Sequence, residues 1–202
     1  MIGISKVEAP NTINLLFLLS EGSSNPLKNE ESVTWSFMDF DGRWVDFEQN
    51  KIIDGTVNLT RTGIVTLSFP KEAGKSHTAL TTDMIWVRAS VADNTDAVCK
   101  IIDIKAQGAL AKLLQDEPEG IEFRDLLPAG TISKLVRSDS AIKSIAQPAD
   151  SVGGRTRESD ADYYQRVSER LRHKQRAITM WDYEHLVLQE FPAVYQVKCL
   201  NH

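Results

Sequence analysis

The tetrapeptide Asp39-Phe40-Asp41-Gly42 has the residue types and spacing closest to reactive chemistry in this chain. Two carboxylates two positions apart, closing an apolar stretch, could divide phosphoryl transfer between them. One would attack phosphorus and the other would handle the leaving-group proton beside Mg²⁺. The same residues also spell a hairpin turn. Asp41-Gly42 supplies the positive-φ pair of a two-residue loop, Val33, Trp35 and Phe37 alternate before it, and Trp44-Val45-Asp46-Phe47 returns after it. Asp54-Gly55-Thr56 reads as a turn in the same way. His77, His173, His185 and His202 are scattered, with no HExxH and no pair at ligand spacing, and Cys199 with His202 makes a lone CxxH. No GxSxG, P-loop or GxGxxG occurs. Neither a cofactor nor a metal is expected.

An apolar strand followed by DxDG resembles the nucleophile motif of haloacid-dehalogenase-like phosphatases. That resemblance would make Asp39 and Asp41 the working pair of a Mg²⁺-dependent phosphatase. In that family the motif runs into a loop and a helix, with Thr or Val usual after the Gly, and it works with a distant GDxxxD-like metal cluster. Here Arg43 and then a second strand pattern follow. The turn reading takes precedence, and phosphatase chemistry stands as the alternative function.

The elements that would carry these residues are written mostly with period two. Thr56 to Thr60 and Ile64 to Phe69 suggest a second strand pair broken at Gly63 and stopped by Pro70. Ile85, Val87, Ala89 and Val91 alternate, and so do residues 99–104. Six or more short strands in about a hundred residues predict an antiparallel, sandwich-like β domain over residues 1–108. Trp35, Trp44, Trp86 and Trp181 suit core or hairpin packing. Residues 109–152 are punctuated by Pro118-Glu119-Gly120, Pro128-Ala129-Gly130 and Pro148. They predict an extended connector with short strands and a possible short helix over 109–115.

Residues 153–202 change character. Ser159 is an N-cap, and Tyr163, Val167 and Leu171 recur at every fourth position as one apolar stripe, so a helix of about four turns follows. Thr179 and Asp182 predict a capping box for a second helix, with Ile178 stapled on Tyr183 and Pro192 as the stop. Val194 to Leu200 alternates like a strand. The fold class is therefore α+β: a β-rich N-terminal domain followed by a small two-helix-plus-strand unit.

Composition sets the function classes. The chain has 202 residues with a formal net charge of −5 and 42% hydrophobic content, enough for a core without disulfides. Cys99 and Cys199 read as reduced, mostly buried thiols. The apolar run Ile13 to Leu19, broken by Asn14, is far short of the roughly 20 residues of a spanning helix. The opening MIGISKVEAP lacks a signal-peptide pattern, which points to the cytoplasm. Ile2 and Ile4 in mid-strand spacing at one end, and Asn201-His202 with no closing turn at the other, suit a piece of a longer protein.

The charge is uneven. Residues 1–150 hold 15 Lys+Arg and 21 Asp+Glu, a net of −6, whereas residues 151–202 hold 8 and 7, a net of +1. The first helix begins with Glu158, Asp160 and Asp162 and ends with Arg170, Arg172, Lys174 and Arg176, an order that complements the helix dipole. Arg166, Arg170, Arg172, Lys174, Arg176 and Trp181 are the candidate partner-contact residues, because guanidinium forks pair bidentately with carboxylates. With net negative charge and no interleaved aromatics, nucleic acid is not the expected ligand.

The segment GGRTRESDADY, Gly153 to Tyr163, resembles the pattern that opens the helical part of baseplate J-like proteins. The run RVSERLRHKQRAITMWDYEHLVLQEFPAVYQVKCLNH, Arg166 to His202, is similar to the wedge proteins of phage-tail-like extracellular contractile injection systems. WSFMDFDGRWVDF, DGTVNLTRTGIVTLSFP and WVRAS fit the β-rich portion of the same family. The resemblance implies a structural subunit that pairs with a related wedge subunit. Such pairs join into a ring around the hub and inner tube, and the ring holds the sheath and rearranges on triggering. The family implies no catalytic step. A rigid β domain and a helical unit on a Pro- and Gly-containing connector suit that task.

Overall fold

The computed structural model describes residues 1–29, 31–75, 80–112, 126–153, 159–174, 176–191 and 194–200; of His173 only the backbone is described. The chain divides into two compact units, residues 1–115 and 116–202.

The first unit contains eight strands: β1 (Ile2–Ser5), β2 (Asn11–Ser20), β3 (Thr34–Met38), β4 (Trp44–Asp46), β5 (Ile52–Asp54), β6 (Gly63–Phe69), β7 (Met84–Ser90) and β8 (Lys100–Ala106). They form two four-stranded antiparallel sheets, ordered β1-β7-β3-β4 and β5-β6-β2-β8. With the two C-terminal helices this is the expected β-rich α+β fold.

Alternation builds the core. The apolar run that is too short to cross a membrane becomes the central strand β2, which buries Ile13, Leu15, Phe17 and Leu19 on one face. Phe17 meets Trp35 of the other sheet edge-to-face at 5.6 Å, and Phe37, Phe47 and Phe69 continue the aromatic contacts at 5.1 and 5.3 Å. Among the described residues every buried hydrophobic side chain lies between Ile4 and Cys99.

Two turns differ from expectation. Met38 pairs with Trp44, so the β3–β4 connection spans Asp39 to Arg43. Only Gly42 there takes positive φ, at 76°. Asp39 N–H donates to Arg43 O, and Gly42 N–H donates to Asp39 O. That is a three-residue loop with a left-handed glycine rather than a two-residue turn.

Thr56 to Thr60 is not a strand. The strand that precedes and pairs with β6 is β5, and Val57, Asn58 and Leu59 lie in the left-handed region at φ 52°, 54° and 58°. Local side chains outcompete the ladder. Asp54 Oδ1 accepts from Thr56 N–H at 2.7 Å, Asp54 Oδ2 accepts from Asn58 N–H at 2.8 Å, and Thr56 Oγ1 accepts from Leu59 N–H at 3.0 Å. Gly55 permits the crossing, since a Cβ there would stand 2.7 Å from Ile64 O.

The second unit holds α1 (Asp160–His173) and α2 (Met180–Glu190). Among its described residues no strand forms, neither in 126–153 nor in 194–200. Instead 127–151 is a loop closed on itself. Gln147 Nε2 donates to Leu127 O and Ala149 O at 3.1 and 2.9 Å, its Oε1 accepts from Ile132 N–H at 3.0 Å, and Ser151 and Leu127 exchange two bonds. Residues 109–112 are not helical. The rest of that possible helix, the 154–158 part of the boundary motif, His77, Pro118 to Gly120, the Pro192 stop and His202 lie outside the described residues. Among the described residues no helix is long and apolar enough to cross a membrane.

Candidate interaction surface

Both helices start as their sequences direct. Ser159 Oγ accepts from Asp162 N–H at 3.2 Å, and Thr179 closes a full capping box with Asp182. The capping-box bonds are Thr179 N–H to Asp182 Oδ2 at 2.7 Å and Asp182 N–H to Thr179 Oγ1 at 3.2 Å. Ile178 remains 80% exposed, so the apolar staple adds little. Lys174 ends α1 in the left-handed region, its N–H on Arg170 O.

One face of α1 holds α2. The Arg172 guanidinium lies 4.8 Å over the Trp181 ring, Trp181 stacks on His185 at 3.7 Å, and His185 Nδ1 stands 3.9 Å from Glu169 Oε2. That Glu169 oxygen is buried and has no hydrogen-bond partner among the described residues. Glu184, on α2, accepts from Cys199 N–H at 2.8 Å and lies 3.4 Å from Lys198 Nζ. The alternating 194–200 segment is therefore tied to a helix side chain rather than to a sheet, since among the described residues no strand of this unit stands beside it. The Cys199 bond leads in holding the Glu184 carboxyl below its usual range. Desolvation works against it, and Lys198 and His185 add to the lowering.

The opposite face of α1 is different. Val167 lies two positions from Glu169 and so about 160° round the helix from it. The stripe it centres is open: Tyr163 is 47% exposed and Leu171 70%. Val167, Arg170, Leu171 and Lys174 line a shallow groove there. Among the described residues neither helix contributes to the buried core.

The sequence-selected contact residues thus fall into two groups. Arg172 and Trp181 meet each other within the chain, and Arg166 stacks 5.4 Å over Tyr163. Arg170 and Lys174 flank the open groove, and Arg176 is exposed after the helix. Sequence reading missed Glu169, His185 and Glu184 as the groups that join the elements. The signal available was Trp181 and His185 at i, i+4 on one helix.

At the DxDG motif, Asp39 Oδ1 accepts from Asp41 N–H at 2.9 Å and Arg43 N–H at 2.8 Å. The Asp41 side chain is 70% exposed, 3.7 Å from Arg43. Asp39 is occupied in shaping its own turn, as Asx-type turns require. Among the described residues no three His, Cys, Asp or Glu side chains gather in a metal-holding group.

No curated protein matches the chain. A family model described as "Baseplate protein PVC11-like" matches residues 1–202, a span that takes in both the sandwich and the helical unit. By that match the chain belongs to the PVC11-like baseplate family, and it is a baseplate protein of phage-tail-like particles.

Proposed function

We propose that this protein is a structural wedge subunit of a contractile phage-tail-like particle. It joins related wedge subunits, and through them hub and sheath proteins, into a ring that couples triggering to sheath contraction. Its assembly takes place in the cytoplasm, and it then remains in the particle. Residues 1–108 serve as a rigid domain, 109–152 as a connector and 153–202 as the contact unit. Arg166, Arg170, Arg172, Lys174, Arg176 and Trp181 form or support the contact surface.

One observation carries the reading. The stripe Tyr163, Val167, Leu171 lies on the face of α1 turned away from α2, and exposed apolar surface rimmed by cations is what a protein partner covers. Roles divide among these residues accordingly: Arg172 and Trp181 hold the helix pair in shape, while Arg170 and Lys174 face the neighbour.

The test is co-expression with the baseplate, hub and sheath proteins of a contractile particle. The full chain is expected to co-purify with a wedge partner. Arg170→Glu with Lys174→Glu is expected to abolish recovery while the sandwich still unfolds at the same denaturant concentration. Unchanged recovery would remove the α1 surface from the interface.

A further inference from the structure

The outward face of α1 carries complementary residues in the two directions about Val167. Four positions before it stands Tyr163 and four after it Leu171; three before, Tyr164, and three after, Arg170; seven before, Asp160, and seven after, Lys174. All six flanking side chains are exposed, with Tyr164 at 70%. They lie within one side of the helix, since steps of three, four and seven residues return to the same face. That face is opposite the one that Glu169 and Arg172 apply to α2.

We propose that this face docks against α1 of a second copy of the chain, antiparallel and about a two-fold axis passing by Val167. The inference rests on the wedge reading and names a partner for its contact surface. In the antiparallel arrangement each copy's Tyr163 meets Leu171 of the other, and Val167 meets Val167. Asp160 at the positive helix end meets Lys174 at the negative end of the neighbour, so the ion pairs and the helix dipoles favour the same orientation. Tyr164 presents its ring to Arg170 of the second copy, a cation–π pair. The groove lined by Val167, Arg170, Leu171 and Lys174 receives Tyr163. A parallel pairing would set Asp160 against Asp160 and Lys174 against Lys174, and like charges oppose it.

Charge selects this occupant over a generic acidic partner. Asp160 serves the dipole of its own helix, and its place on the same face as Lys174 offers a second copy an ion pair at each end that a uniformly acidic partner would not use. One 14-residue helix pair buries less than a standard stable interface, so the association is reversible and concentration-dependent.

The experiment is sedimentation equilibrium on the full chain across a concentration series. Wild type is expected to show a monomer–dimer equilibrium. Asp160→Lys and Lys174→Asp are each expected to weaken it about tenfold or more, since each reverses two symmetric pairs. An equimolar mixture of the two variants is expected to restore dimer, because both pairs are again of opposite sign. Lys174→Asp suits the backbone, as Asp tolerates the left-handed cap, and circular dichroism checks that α1 persists.

A wild type that stays monomeric throughout overturns the inference. So does a dimer indifferent to both charge changes. A monomer that is still incorporated into baseplates overturns this inference and leaves the wedge reading standing. A dimer that is never recovered with other baseplate proteins overturns the wedge reading alone.

Discussion

The guanidinium of Arg172 on α1 sits over the indole of Trp181 on α2, 4.8 Å from the ring centroid. Removing it with Arg172→Ala is expected to lower the stability of the helix pair by about 0.5–1 kcal/mol. Trp181→Ala costs more, because the stack on His185 goes with it. A double-mutant cycle read by amide exchange in α2 checks the coupling: strictly additive losses would mean that the two side chains do not interact in solution.

Glu184 makes the attachment of residues 194–200 pH-dependent. Its carboxyl is held below the usual 4.5, first by the Cys199 N–H and against the opposing effect of burial. A lowered carboxylate pKa stabilises fully above the unfolded value and loses that contribution as pH falls through the folded value. Protection of the Cys199 amide is therefore expected to hold at neutral pH and to fade as pH drops below about 4.5. In Glu184→Gln the pH dependence of that amide should disappear. Protection that stays pH-dependent in the variant assigns it to another group.

Asp39 accepts two N–H groups of its own loop. Asp39→Ala is expected to destabilise the sandwich by about 1–2 kcal/mol, and Asp39→Asn, which keeps the acceptor, by less. Urea unfolding provides the measurement. No Mg²⁺-dependent hydrolysis of a generic phosphate ester is expected from the wild type. Turnover that Asp39→Asn abolishes would restore the phosphatase reading.

Phe17 is 1% exposed and packs edge-on against Trp35 of the facing sheet. Phe17→Ala is expected to cost about 3–5 kcal/mol through lost transfer and cavity formation. A shift of the urea midpoint much smaller than Phe17 burial implies would mean that the two sheets do not share this core.

Where side-chain alternation and local caps decide the structure, the residues were readable in advance. β6 and β7 bury alternate side chains, β3, β4 and β8 form where the sequence alternates, and Ser159 and Thr179 start α1 and α2 at their caps. Where a polar side chain competes with the ladder, they were not. Thr56 to Thr60 has strand composition, yet Asp54 folds it into a left-handed turn. The 194–200 segment alternates correctly, but alternation specifies a strand only when a neighbouring strand exists. At the candidate surface, the basic residues were legible one by one. Which of them face inward was not, because that depends on the rotation of α1 against α2, set by Glu169, Arg172, Trp181 and His185.

Confining the core to Ile4 through Cys99 has a bearing on the life of the molecule before it joins anything. Its scaffold half carries the buried core, whereas the open helix face is covered only in company. Orphan copies would therefore lose the helical unit first, sparing the remainder. Supply of mates then becomes a gauge by which surplus chains are cleared.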